Sequence, residues 1–128
     1  MNNTLDTFIG AYSDSFGYAY DNNIMLNWYP RRIMELCGQE LNLLELGIGH
    51  GFSTNRFSRY FNSHTVIDGS PSVIAQFQAQ YPDSPAQIVE AYFEHFDTDQ
   101  RFDLIVMGFV LEHVEDPQVV PVSYTHLR

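Results

Sequence analysis

Residues 43–52, LLELGIGHGF, pass from an apolar block into a carboxylate and then into three glycines at alternate positions. The block NLLEL, 42–46, is short and stops at Gly47, which reads as a buried strand. Gly47, Gly49 and Gly51 let backbone N–H groups approach a ligand without side chains in the way. The next stretch, FSTNRFSRYF at 52–61, sets Phe52, Phe57, Tyr60 and Phe61 on roughly one helical face. A helix there aims its positive end at the glycine turn. The stretch therefore predicts strand, turn and helix, with the turn suited to an anion or a carboxylate.

Outward from this unit the same alternation continues. HTVID, 64–68, reads as a second strand. Ser70 and Pro71 then open a helix, as N-cap and first helical residue. AQIVEA, 86–91, is a third strand, and RFDLIVMGFV, 101–110, a fourth, apolar enough to lie centrally. LEHVED forms a helical turn, and Pro117 opens a further helix. Upstream, residues 1–22 read as a short helix and loop. Ile24, Met25, Trp28, Ile33, Met34, Leu36 and Cys37 follow helical spacing, with Pro30 predicting a kink or two short helices. Gly38 is the expected C-terminal cap. Strands alternating with helices imply a parallel sheet covered by helices on both faces, with ligands beyond the carboxyl ends of the strands.

The bulk properties narrow the function. A chain of 128 residues is one domain, and its 45% apolar content is enough for a core. The formal charge of −10 argues against nucleic acid or anionic membrane as partner. It is compatible with a cationic or zwitterionic small ligand. All six basic residues are arginine, so a phosphate loop that depends on lysine is excluded. Cys37 is the single cysteine, which excludes an intramolecular disulfide and a multi-cysteine metal site. His64, His95 and the acidic residues show no metal-ligand spacing, so no metal is expected. The first residues lack a basic start followed by an apolar run, and no stretch approaches the roughly 18–20 apolar residues of a membrane span. A soluble, cytoplasmic protein is the expectation.

Two cofactor classes use a glycine turn of this kind, dinucleotides and S-adenosylmethionine. The dinucleotide pattern G-x-G-x-x-G needs a third glycine where Phe52 stands, and that glycine serves close helix–strand packing. This disfavours a nicotinamide-dependent dehydrogenase. Asp68 ends the second strand about 20 residues after Gly47, where a carboxylate can accept both ribose hydroxyls. The alternative for Asp68 is a strand-end aspartate that caps the next turn.

LLELGIGHG, VIDGSPSVI, IVEAYFEHF and FDLIVMGFVLEHVEDP, in that order and spacing, resemble the successive motifs of class I S-adenosylmethionine-dependent methyltransferases. The LEHVEDP form is similar to the subgroup acting on small molecules. The resemblance implies a Rossmann-like three-layer α/β/α fold with strand order 3-2-1-4. It implies S-adenosyl-L-methionine as cofactor, a small-molecule acceptor and in-line methyl transfer. Glu45, Gly47, Ile48, Gly49 and Gly51 would surround its methionine part. Asp68 would bind the ribose, Gly69 would leave space for the adenine, and Glu90 and Ala91 would meet the adenine edge. Met107, Gly108 and Phe109 would form the floor where the methyl group leaves. The resemblance also leaves a second reading open, a non-catalytic cofactor-binding module.

Other residues carry competing readings. Glu45 is either a cofactor contact or a buried carboxylate holding backbone donors. Glu94 and Asp97 stand near Glu90 and could share its role. His113 is the only candidate for a base, and family members carry it whatever their substrate, which favours an architectural role. His50 is expected to point to solvent. The aromatics Tyr12, Phe16, Tyr18, Tyr20, Trp28 and Tyr29 read as a cover packed on the core, or as groups that close over the cofactor. No catalytic triad is expected, because the methyl group arrives activated. The acceptor and the oligomeric state are not assigned.

The ending VSYTHLR, 122–128, resembles a translated transposase-adapter end, and Pro121 suits that reading frame. Residues 121–128 are therefore expected to be non-native. Residues 1–120 would then be the N-terminal, cofactor-binding part of a methyltransferase domain truncated after its fourth strand, with 1–38 as a helical cover. The fourth strand would become an exposed edge.

Overall fold

The structure is a computed structural model. It describes residues 19–108, with side chains from residue 27 onward. The elements are α1 (Ala19–Leu36), β1 (Asn42–Leu46), α2 (Phe52–Tyr60), β2 (Ser63–Asp68), α3 (Pro71–Gln80), β3 (Gln87–Glu90) and β4 (Leu104–Val106). The four strands form one parallel sheet in the order β3-β2-β1-β4. This is the Rossmann-like order expected. Glu45 pairs with Val66 on one side and Val106 on the other, and Asp68 pairs with Glu90. Among the described residues no helix is long and apolar enough to cross a membrane.

Strand alternation sends Leu43, Glu45, Val66 and Val106 to one face and Leu44, Leu46 and Ile67 to the other. On the first face α3 packs Val73, Ile74 and Phe77 against Ile48 and Val66. There α2 packs Phe57 and Phe61 against Leu43 and Val106, with Tyr29, Ile33 and Met34 of α1 behind them. The second face is covered by Phe93, Phe96 and Phe102 of the segment between β3 and β4. Among the described residues the helices all lie on the first face.

Four local expectations change. Pro30 lies inside one continuous helix, which removes the two-helix alternative. Its missing N–H forfeits one helical hydrogen bond. Packing of Tyr29, Ile33 and Met34 on α2 holds the helix across that point. Gly38 does not cap α1 in the left-handed conformation; among the described residues the glycines with positive φ are Gly47, Gly49 and Gly51. β3 is Gln87–Glu90, shorter at both ends than 86–91. β4 is only Leu104–Val106, because Phe102 turns into the core and the Asp103 carboxylate accepts from the Asn42 N–H at 2.8 Å. β4 pairs on one side only and forms an edge of the described sheet, as the order 3-2-1-4 and an ending after the fourth strand imply, although its apolar sequence suits a central strand.

The inner face of α2 also differs. Ser53, Thr54, Phe57 and Ser58 are buried, whereas Phe52 stacks on His50 with ring centroids 5.9 Å apart and planes 7° from parallel. His50 is half-buried with its Nε2 enclosed, so it does not point to solvent. At α3 the reading holds: Ser70 Oγ accepts from the Val73 N–H at 3.2 Å, with Pro71 next to it. Residues 1–18, Phe109, the LEHVED turn with His113, Pro117 and the tail 121–128 lie outside the described residues.

Candidate functional site

The strand order reverses direction between β1 and β4, so the crevice at their carboxyl ends is the switch point of the sheet. The glycine turn, residues 47–51, leaves β1 at this point. Gly47 has φ 89°, Gly49 56° and Gly51 86°, values that side chains resist. Gly51 is also the N-cap of α2 and carries no side chain to satisfy the first-turn N–H groups. A methyl group at Gly51 would lie 2.8 Å from the Phe77 ring. Gly51 thus seats the turn against α3, a packing task that alternate spacing did not reveal.

The turn is tied to the end of β2. Ile48 donates its N–H to Asp68 Oδ2 at 2.9 Å, and Gly47 donates to the Ile67 carbonyl at 2.8 Å. Asp68 Oδ1 accepts the Ser70 N–H at 2.9 Å, and the Ala91 N–H donates to the Asp68 carbonyl at 3.1 Å. Asp68 is only 7% exposed. It therefore does cap the turn that follows it, and it also binds the glycine turn. A carboxylate has about four lone-pair directions and can serve several donors at once. Gly69 is buried beside it, and Glu90 stands exposed at the neighbouring strand end, with half-buried Ala91 next to it. Met107 packs against the Leu44–Phe102 cluster on the far side of β1. Every described candidate thus lies at the same end of the sheet.

Glu45 takes a different position from the rest. It is 1% exposed, beneath α2. Ser53 Oγ donates to its Oε2 at 3.0 Å and Thr54 Oγ1 to its Oε1 at 2.8 Å. His64 Nε2 lies 3.1 Å from the same Oε1, and both side chains are 1% exposed. The donors are side chains, not the backbone groups considered from sequence. His64 Nδ1 is buried with no hydrogen-bond partner. A hydroxyl pair directly after the turn, in GFST, was the available sequence signal for this arrangement.

Tyr29 completes the crevice, and nothing in the sequence separated it from the other aromatics. Its ring meets Phe57 edge-on at 6.2 Å. Its hydroxyl lies so close to the loop after β4 that a methyl group at Gly108 would stand 2.6 Å away. Burial chiefly, and then the charge of Glu45, push the hydroxyl far above the ordinary tyrosine range, while a hydrogen bond with Ser53 pulls the other way. No group of three or more His, Cys, Asp or Glu placed to hold a metal ion occurs among the described residues.

The profile of the methyltransferase domain family matches residues 44–121, from β1 through the glycine turn and beyond β4. The chain belongs to the methyltransferase domain family. Nodulation protein S of Sinorhizobium fredii is 33% identical over 91 residues, which cover 70% of this chain and 42% of that protein. The N-methyltransferase NodS from Bradyrhizobium japonicum, solved with S-adenosyl-L-homocysteine, is 25% identical with a TM-score of 0.64. That likeness covers 84% of this chain and 53% of NodS. The glycopeptide N-methyltransferase MtfA, also solved with S-adenosyl-L-homocysteine, has a TM-score of 0.66 at 24% identity, over 77% of this chain and 46% of MtfA, and so shares the fold. This methyltransferase domain chain therefore spans about half the length of such relatives, or less.

Proposed function

We propose that the chain is the cofactor-binding part of an S-adenosylmethionine-dependent methyltransferase acting on a small molecule. The single observation that carries the reading is the Ile48–Asp68 hydrogen bond, which joins the glycine turn to the ribose-side carboxylate. The groups present fit the cofactor: a turn of left-handed glycines, a nearly buried carboxylate at the end of the neighbouring strand, and a helix N-terminus without a side-chain cap. In this reading Gly47, Ile48, Gly49 and Gly51 hold the methionine part. Asp68 holds the ribose, Gly69, Glu90 and Ala91 meet the adenine, and Met107 lies under the sulfonium. Glu45 acts on the turn through Ser53 and Thr54, not by direct contact.

When bound, the cofactor supplies a methyl group already activated on sulfur. The chain's residues have then to orient it and exclude water; alignment alone supplies on the order of 7–11 kcal/mol. The NodS likeness favours a nitrogen acceptor. The charge of −10 favours a small cationic or zwitterionic acceptor over nucleic acid. A cytoplasmic location belongs to the same proposal.

The test is isothermal titration of the full chain with S-adenosylhomocysteine, for wild type and Asp68→Ala. Loss of at least tenfold in affinity is expected, since a hydrogen bond to a charged group contributes about 1.5–3 kcal/mol. An unchanged dissociation constant in the variant would remove the assignment. Methyl release to a panel of amines separates an enzyme from a cofactor-binding module.

A further inference from the structure

Tyr29 occupies the crevice between β1 and β4 and touches both of its walls. On one wall its hydroxyl lies near Ser53 and Glu45, at the first turn of α2, and both groups act on its proton. Ser53 in turn donates to Glu45 Oε2 at 3.0 Å, and Thr54 and His64 fix the other oxygen of that carboxylate. On the other wall the same hydroxyl lies against Gly108, where even a methyl group would be 2.6 Å away. The ring is anchored by its edge-on contact with Phe57. One rigid group thus spans the gap between the glycine-turn helix and the loop after β4.

We propose that Tyr29 is a positioning residue of the candidate site, setting the separation between the first turn of α2 and the β4 loop at Gly108. This rests on the cofactor reading above. The two walls are the parts that reading assigns to the methionine chain and to the sulfonium. The ribose and adenine side, at Asp68 and Glu90, belongs to β2 and β3 on the opposite side of β1. Tyr29 therefore acts on one half of the ligand only. Two features give the tyrosine reach without freedom. Pro30 follows it inside α1 without breaking the helix, and Asn27 in the preceding turn accepts from Arg56 of α2 at 2.7 Å.

The experiment measures S-adenosylhomocysteine and adenosine binding to the full chain, for wild type, Tyr29→Phe, Ser53→Ala, their double variant and Gly108→Ala. Tyr29→Phe keeps the ring and loses the hydroxyl. It is expected to weaken S-adenosylhomocysteine about three- to tenfold, the scale of one hydrogen bond. Adenosine affinity should stay at the wild-type value, and the melting temperature within a few degrees. Gly108→Ala disturbs the same contact from the other wall and should give the same pattern. The double variant should lose less than the sum of the two single losses, because the two groups are neighbours. Unchanged S-adenosylhomocysteine affinity in Tyr29→Phe overturns the proposal. So does an equal loss for both ligands, the mark of a general structural defect. A wild-type chain that binds neither ligand removes the cofactor reading first, a result distinct from either.

Discussion

Ile48 and Asp68 lie on different strand–helix units, and the N–H of one meets the carboxylate of the other at 2.9 Å. The turn after β1 is therefore shaped partly from β2. The bond is charge-assisted and nearly buried, which puts it among the stronger hydrogen bonds of the domain. In the proposed reading, binding and folding share one side chain at this point.

Asp68→Asn separates the two roles. The amide retains one oxygen, so either Ile48 or Ser70 keeps its acceptor while the other N–H faces an NH₂ group. A stability loss of roughly 1–3 kcal/mol is expected from the stranded donor. Urea unfolding at neutral pH checks it, and a loss near zero would mean that the turn holds its shape without Asp68.

Glu45 is the acceptor for three buried side chains. Glu45→Ala leaves Ser53, Thr54 and His64 without it and opens a cavity under α2. The expected loss is roughly 3–5 kcal/mol, as for breaking other buried polar pairs. Glu45→Gln keeps one acceptor and should lose clearly less. Denaturant melts of the two variants side by side settle the order.

Gly51→Ala meets two obstacles at once. Its φ of 86° disfavours any side chain by about 1–2 kcal/mol, and the new methyl would press on the Phe77 ring. A loss of roughly 2–4 kcal/mol is expected, with overpacking contributing about 1–3 kcal/mol of it. Phe77→Leu in the Gly51→Ala background should recover part of it, measured by thermal unfolding.

Alkaline pH gives a fourth prediction. The folded chain holds the Tyr29 proton more tightly than the unfolded chain, so below about pH 10 the residue leaves stability unchanged. Above that the unfolded chain releases the proton and the folded one does not, and stability falls as pH rises. One proton corresponds to about 1.4 kcal/mol per pH unit. Tyr81 is shifted upward by burial too, so wild type is best compared with Tyr29→Phe. Urea midpoints from pH 9 to 11 should fall less steeply in the variant.

The sequence was most legible where one local rule decided the outcome. NLLEL and HTVID became β1 and β2, and Ser70 with Pro71 began α3, because alternation and capping are short-range. It was least legible where distant residues met. Apolar spacing put Phe52 on the inner face of α2. The buried face instead carries Ser53 and Thr54, which donate to the carboxylate beneath it, together with Phe57 and Ser58. RFDLIVMGFV looked like one long strand, yet Phe102 serves the core below the sheet and only three residues pair. For the site, the glycine turn and Asp68 followed from spacing. Tyr29 did not, since its partner Gly108 is supplied by the far end of the fold.

The carboxylate of Glu45 has a consequence for how this interior can diversify. Three neighbours discharge their polarity into one acceptor, so replacing Glu45 strands all three, and replacing a donor leaves the buried carboxylate less well satisfied. An apolar version of the same space would need Glu45, Ser53, Thr54 and His64 to change together. Each stepwise route crosses sequences that fold less well than either end. Drift in this lineage should therefore spare the quartet as a block, and lose it, where it is lost, as a block.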